Sequence, residues 1–321
     1  MFKHITIFFA GLVIIIILLS CGKEKHDFKA YGKIYLSEVD NEIMEYDIGY
    51  NKFKTIQVFK NDSTSLNQVL SISSSSKGEK IVFAVDNHKN MQIYNLLCMD
   101  LKSGSIDTLV YNTNQEIDYP SFSPNDNFIA MLVVGEPKVK HYWFLPKNIG
   151  FDELPDARLM IISLKTKTNT VISTPPLALS KPSWSMDGKS LWASTYDGTI
   201  LQIWLDGSIN NTGSKGYCPT ISPNGKLLAY LKGRSLYVKD LASNRVKKVA
   251  SRFSKYMPRE YNMLYITWSP DSKYILYQGE DFLSYITHWR SQYVIVPIEN
   301  GGTPFLVKDV VAGGFSPAWV P

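Results

Sequence analysis

Pro219-Thr220-Ile221-Ser222-Pro223-Asn224-Gly225-Lys226, followed by the apolar run Leu227-Leu228-Ala229-Tyr230, decides the fold, because the chain repeats it. Pro182-Ser183-Trp184-Ser185-Met186-Asp187-Gly188-Lys189 leads into Leu191-Trp192-Ala193, and Pro120-Ser121-Phe122-Ser123-Pro124-Asn125-Asp126 leads into Phe128-Ile129-Ala130-Met131-Leu132. Trp268-Ser269-Pro270-Asp271-Ser272-Lys273 precedes Tyr274-Ile275-Leu276-Tyr277. A worn copy, Ile72-Ser73-Ser74-Ser75 with Gly78, precedes Lys80-Ile81-Val82-Phe83-Ala84. Self-similarity at intervals of tens of residues marks a repeat architecture. Proline presets φ for the first corner of a turn, and Asn, Asp and Gly tolerate the left-handed position that closes it. Each copy therefore reads as strand, tight turn, strand, with the aromatic before the turn and alternating apolar residues after it facing inward. Two more strands follow in most copies, as in Ser235-Leu236-Tyr237-Val238-Lys239-Asp240-Leu241 and then Arg245-Val246-Lys247-Lys248-Val249. Strands in groups of about four per repeat are the arrangement of propeller blades.

The chain ends complement one another. Pro317-Ala318-Trp319-Val320-Pro321 opens a further copy and stops where its turn belongs, while Tyr31-Gly32-Lys33-Ile34-Tyr35-Leu36 supplies the missing second strand. Glu42-Ile43-Met44-Glu45-Tyr46-Asp47 and Lys54-Thr55-Ile56-Gln57-Val58-Phe59 supply the third and fourth. A blade assembled from both ends closes a ring and removes its open edges. With this composite as blade 1, the others begin near Leu70, Pro120, Pro182, Pro219 and Ile266. The expected fold is all-β, a six-bladed β-propeller of four-stranded antiparallel blades over residues 32–321, closed by the C-terminal strand joining the N-terminal blade.

These copies resemble the TolB-like (WD40-like) propeller repeat, whose pattern runs P-x-W-S-P-D-G-K and then an apolar strand, over nearly the whole mature chain. The resemblance implies a scaffold that binds through its channel face. TolB proteins carry an α/β domain ahead of the propeller, and peptidases with comparable propellers add a hydrolase domain. Here only a short polar stretch lies between Cys21 and blade 1, so the resemblance implies the scaffold and not a role in the Tol system.

Lys3 and His4 precede an apolar run from Ile5 to Leu19, and Leu18-Leu19-Ser20-Cys21 follows. A basic segment, an apolar core and small residues before a cut site describe a secretory signal. The run falls short of the roughly 20 residues of a spanning helix. Cys21 resembles a bacterial lipobox cysteine, which becomes the lipidated first residue of the mature chain; an uncleaved anchor helix is the alternative. The expected organisation is a lipoprotein signal peptide over 1–20, a tether over 21–31 and the propeller over 32–321. Acyl chains contribute about 0.8 kcal/mol per buried methylene, so several together anchor a protein stably. Gly22 is not the Asp of the enterobacterial inner-membrane retention rule, so the expected site is the bacterial cell envelope, at the outer rather than the inner membrane.

The composition is globular, with 45% hydrophobic, 20% charged and 13% aromatic residues. Net charge is +5, reduced by one if Lys3 leaves with the signal, and no long block of like charge occurs. That excludes an electrostatic footprint for nucleic acid. A monomer without a cofactor is expected. The compartment permits disulfides, but Cys98 and Cys218 fall in blades 2 and 5, on opposite sides of the ring, so two unpaired buried thiols are expected.

Loops joining the second and third strands of a blade emerge on the same face as the connections between blades. In blade 3 this loop, about Gly135 to Ala157, holds Lys138, Lys140, His141, Tyr142, Trp143 and Phe144. In blade 6 the stretch from Glu280 to Ser291 holds Phe282, Tyr285, His288, Trp289 and Arg290, and the segment leading into that blade adds Tyr256 and Arg259. Blades 3 and 6 stand opposite each other. Trp, Tyr and Arg dominate binding energy when desolvated, and long loops on rigid scaffolds concentrate binding. The expected function is recognition of an envelope protein, peptide or glycan by a membrane-anchored scaffold, with His141, Tyr142, Trp143, Tyr256, Arg259, Tyr285, His288, Trp289 and Arg290 as candidate ligand-binding residues. No G-x-S-x-G, H-E-x-x-H, C-x-x-C or phosphate-binding glycine loop occurs, so no catalytic residue is assigned. His88, His141 and His288 share the second-to-third loop face, and three imidazoles bind divalent metals. Some polysaccharide lyases resembling this family hold a metal with channel histidines, so the alternative is a metal-dependent carbohydrate-active enzyme.

Overall fold

A computed structural model describes residues 30–37, 42–59, 67–87, 93–113, 115–135, 139–140, 151–152, 155–233, 235–251, 265–280, 291–299, 305–307 and 317–321. Blade 1 contains β1 (Lys33–Ser37), β2 (Glu42–Asp47) and β3 (Lys52–Val58). Blade 2 contains β4 (Asn67–Ser74), β5 (Lys80–Asn87), β6 (Ile93–Asp100) and β7 (Ile106–Thr113). In blade 3, β8 (Glu116–Phe122) and β9 (Phe128–Val134) are followed by a short inserted hairpin, β10 (Val139–Lys140) and β11 (Phe151–Asp152), then β12 (Ala157–Ser163) and β13 (Asn169–Leu177). Blade 4 contains β14 (Ser183–Trp184), β15 (Ser190–Ser194), β16 (Thr199–Trp204) and β17 (Ile209–Lys215). Blade 5 contains β18 (Tyr217–Ile221), β19 (Leu227–Lys232), β20 (Ser235–Asp240) and β21 (Val246–Ser251). Blade 6 contains β22 (Ile266–Trp268), β23 (Tyr274–Glu280), β24 (Ser291–Pro297) and β25 (Phe305–Leu306), after which β26 (Ala318–Val320) returns to blade 1. Six four-stranded antiparallel sheets result, as the repeats require.

Closure takes the expected form. The order in blade 1 is β26-β1-β2-β3, with Lys33 opposite Val320, Ile34 opposite Trp319 and Tyr35 opposite Ala318. The Trp319 indole donates to the Tyr31 carbonyl at 2.9 Å. Gly32 makes the approach possible: its φ is +99°, and a Cβ there would stand 2.1 Å from the Val320 carbonyl oxygen. Only a residue without a Cβ combines that φ with that contact.

The core is divided among the blade interfaces. Among the described residues six apolar clusters form, each joining a pair of neighbouring blades. Ile34, Tyr46 and Trp319 of blade 1 pack with Leu276, Tyr293 and Ile295 of blade 6, so the ring is sealed by packing as well as by pairing. The sequence pattern predicts alternating inward-facing apolar residues after each turn, yet the central stretches of the second strands carry apolar residues on both faces. In β5, Ile81, Phe83 and Val85 join the cluster with blade 1, while Val82 and Ala84 join the cluster with blade 3. Alternation survives as a choice between two interfaces, because a sheet covered on both faces has no solvent side. Each fully buried Ile, Leu or Phe contributes about 1.5–3 kcal/mol. Exposure is greatest at the outermost strands, as in β13 and β17.

The repeated turn owes its composition to three interactions. Its closing N–H bonds back to the first serine carbonyl in all five complete copies: Gly78 to Ser75, Asp126 to Ser123, Gly188 to Ser185, Gly225 to Ser222 and Ser272 to Ser269. These closing residues all have positive φ, between 56° and 71°. The serine hydroxyl accepts the N–H that starts the next strand, for example from Leu227 to Ser222 at 3.0 Å. It then donates its proton to the Asn or Asp two residues on, at 2.8 Å for Asn125, 2.6 Å for Asp187, 2.7 Å for Asn224 and 2.6 Å for Asp271. Serine, Asn or Asp and a left-handed residue are thus each required by a named bond.

Candidate functional site

The innermost strand of every blade runs toward its turn and lines the ring axis. Two residues before the turn serine stand Ser73, Ser121, Ser183, Thr220 and Thr267, with Ala318 in blade 1, and all six surround an axial cavity of about 230 Å³. This is the variable position of the Pro-x-aromatic-Ser motif. Its side chains also bind blade to blade: Ser73 Oγ accepts the Phe122 N–H at 3.3 Å, and Ser183 Oγ accepts the Ile221 N–H at 2.9 Å. The motif tryptophans reach the same layer of the preceding blade, Trp184 donating to the Ser121 carbonyl at 3.0 Å and Trp268 to the Thr220 carbonyl at 3.1 Å.

Two residues deeper, the inner strands carry Ser71, Tyr119, Lys181, Cys218 and Tyr265, and here the axis is obstructed. Tyr119 of blade 3 and Tyr265, which leads into blade 6, come from opposite sides of the ring and stack at 6.2 Å with an interplanar angle of 25°. Both are almost fully buried, which pushes their phenol pKa values well up and keeps them protonated. Lys181, which leads into blade 4, extends its ammonium to the Ile72 carbonyl of blade 2 at 3.5 Å and the Pro317 carbonyl ahead of β26 at 3.3 Å. Register shifts in β4, β8 and β18 allow this convergence, and Tyr119 and Cys218 take positive φ values of 60° and 51°. Such bulges re-aim side chains. Ser74, Ser76, Pro124 and Pro223 border the cavity toward the turns, whereas Lys181, Cys218 and Tyr265 border it toward the deeper layer. Among the described residues the cavity is therefore blind: it opens on the turn face and is floored by Lys181, Cys218 and Tyr265, with Tyr119 stacked on Tyr265.

The electrostatics of the floor are unbalanced. Burial by the channel walls lowers the Lys181 pKa to about 8, and no carboxylate pairs with it among the described residues. The side chain nevertheless keeps partial solvent contact through the cavity. Both of its carbonyl contacts lie at the long edge of hydrogen bonding. Next to it, Ser180 also lines the cavity; the residue is only 4% exposed, and its buried Oγ has no hydrogen-bond partner among the described residues. Behind the floor, Asp118 is buried, bonded to Ser71 Oγ and to the Tyr119 N–H. Burial raises its pKa to about 7, against the lowering effect of those hydrogen bonds.

The candidate residues drawn from the sequence lie elsewhere. His141, Tyr142, Trp143, Tyr256, Arg259, Tyr285, His288, Trp289 and Arg290 fall outside the described residues, as do Cys21 and His88. Their flanking strands are placed: β9 and β12 bound the blade 3 insertion and β23 and β24 bound that of blade 6, both on the face opposite the turns. Among the described residues no three His, Cys, Asp or Glu side chains converge as a metal site. Cys98 and Cys218 form no disulfide, as expected, but both are half-buried rather than buried. Cys218 stands at the cavity floor because the β18 bulge turns it inward. Lys181 and Ser180 were missed because they precede the motif proline and carry no repeat signal of their own.

No protein-family model and no curated protein matches the chain. Solved structures do. TolB from Acinetobacter baumannii superposes with a TM-score of 0.60 at 16% identity, covering 90% of this chain and 67% of that one. A putative TolB from Agrobacterium tumefaciens gives 0.56 at 13% identity, covering 88% and 90%. An oligogalacturonate lyase in complex with manganese gives 0.56 at 14% identity, covering 84% and 74%. The chain has a TolB-like propeller fold, and the fold is what these likenesses establish.

Proposed function

We propose that this protein is a lipid-anchored scaffold of a bacterial cell envelope, held at the outer membrane through Cys21, that recognises a protein, peptide or glycan partner non-covalently. The observation that carries the reading is the blind axial cavity, where a closed ring holds hydroxyls and an ammonium with no carboxylate partner among the described residues around a space of about 230 Å³. Preformed concave sites with a few convergent polar groups are the usual form of a binding site. The basic and aromatic residues of the blade 3 and blade 6 insertions are proposed as a second contact surface.

Affinity purification of the tagged, full-length lipoprotein from its own cells, read by mass spectrometry, tests the reading. A stoichiometric partner that survives washing, together with acylation at Cys21, is the expected result. Retention of that partner by a Trp143→Ala, Trp289→Ala double variant would remove the insertion face from the interaction. Absence of any partner, with turnover of an oligosaccharide that depends on added divalent metal, would replace the reading with the enzymatic one.

A further inference from the structure

We propose that the axial cavity is a subsite for the C-terminal carboxylate of a peptide segment, which enters from the turn face and is held at the floor by Lys181 and Ser180. This rests on the recognition reading above and names the chemistry of its ligand.

Three observations converge. The Lys181 ammonium carries three donors, and its two contacts, at 3.5 Å and 3.3 Å, are long ones to neutral carbonyls. A charge removed from water without a counter-charge is costly, and an oxyanion supplies both the charge and the short contacts it lacks. The hydroxyl of the adjoining Ser180, a residue of the cavity wall, is buried and has no partner among the described residues. Moreover, Ser73 and Ser183 already accept backbone N–H groups. A hydroxyl that accepts retains a proton to give, so these groups face the cavity as donors.

Shape selects the kind of carboxylate. The cavity is axial and closed at its inner end, so whatever reaches Lys181 arrives end-on. A chain terminus leads with its carboxylate, whereas the carboxylate of a sugar acid projects from the side of a ring. A space of about 230 Å³ admits one or two residues, leaving the rest of the partner on the turn face. There the turns latch to one another, Ser76 N–H and Oγ both donating to Asp126 at 2.7 Å and Asn224 N–H donating to Ser272 Oγ at 3.1 Å, which gives a firm rim.

The test is isothermal titration of the intact propeller with short N-acetylated peptides carrying a free carboxylate, with the same peptides as C-terminal amides, and with a uronic acid monosaccharide. The expected result is that the acids bind, that the amides bind at least about tenfold more weakly, the size expected for one charged hydrogen bond, and that Lys181→Gln abolishes the difference. Lys181→Arg, which keeps the charge, checks that any loss is electrostatic rather than a failure to fold, and should keep a preference for the acids. Equal binding of acids and amides would overturn the carboxylate assignment while leaving recognition at the cavity intact. Binding of the sugar acid alone would overturn the peptide assignment. No binding of any acid, with a partner still recovered from cells, would overturn the subsite without touching the wider reading.

Discussion

Ile34 and Trp319 stand opposite each other in antiparallel register, although nearly the whole propeller lies between them in the chain. Trp319 is 6% exposed and packs between blades 1 and 6. Trp319→Ala should therefore cost about 3–5 kcal/mol, read as a lowered urea midpoint. Removing residues 317–321 should cost more and increase the radius of gyration in solution scattering. An unchanged midpoint in both variants would show that closure contributes nothing.

Asp126 occupies the position taken by glycine in three other copies, at φ 56°, and bonds the turn of blade 2 through Ser76. Asp126→Ala keeps the backbone strain and loses the latch, with an expected cost of about 2 kcal/mol. Asp126→Gly also loses the latch but relieves about 1 kcal/mol of strain. The alanine variant should be the less stable of the two by denaturation.

Asp118 predicts a pH dependence. Burial raises its pKa in the folded protein to about 7, whereas the unfolded chain releases the proton in the ordinary carboxylate range. Between those values the folded state binds more protons, so this group makes stability fall as pH rises toward 7. Asp118→Asn keeps an acceptor for Ser71 and Tyr119 and should flatten that slope in urea midpoints measured from pH 4 to pH 8.

Lys181 gives the opposite slope at higher pH. Its folded pKa is lowered to about 8, so above that value the unfolded state binds more protons until the ordinary lysine range is reached. Stability should gain from this group over that interval, and Lys181→Gln should remove the gain.

Desolvation pushes the Cys98 thiol up to about 11. The thiolate is the reactive form, so at pH 8 a disulfide exchange reagent should label Cys98 slowly in the folded protein and rapidly in urea.

The ring and its closure were legible because the turn is chemically demanding. Ser222, Asn224 and Gly225 each serve one bond or one backbone angle, so the residue types recur, and even the worn copy keeps Ser75 and Gly78. Trp319 was readable for the same reason, as the motif aromatic of an unfinished copy. Lys181, Ser180 and Asp118 were not legible. Lys181 meets the Ile72 and Pro317 carbonyls and Asp118 meets Ser71, all from other blades, and nothing local in their sequence encodes which residues stand across a blade boundary or the axis. The expected insertion-face residues are bounded by the strands where the sequence put them, β9 and β12 in blade 3 and β23 and β24 in blade 6. The cavity on the opposite face was not foreseen.

The pairing of β26 with β1 also bears on how the molecule is made. During synthesis β1 is among the earliest strands to emerge and β26 the latest. Until then the nascent polypeptide carries an unpaired edge of the kind that templates aggregation. Completion of the first blade by β26 is thus the step that closes the ring. A product truncated before β26 would keep the β1 edge open to pairing with other chains.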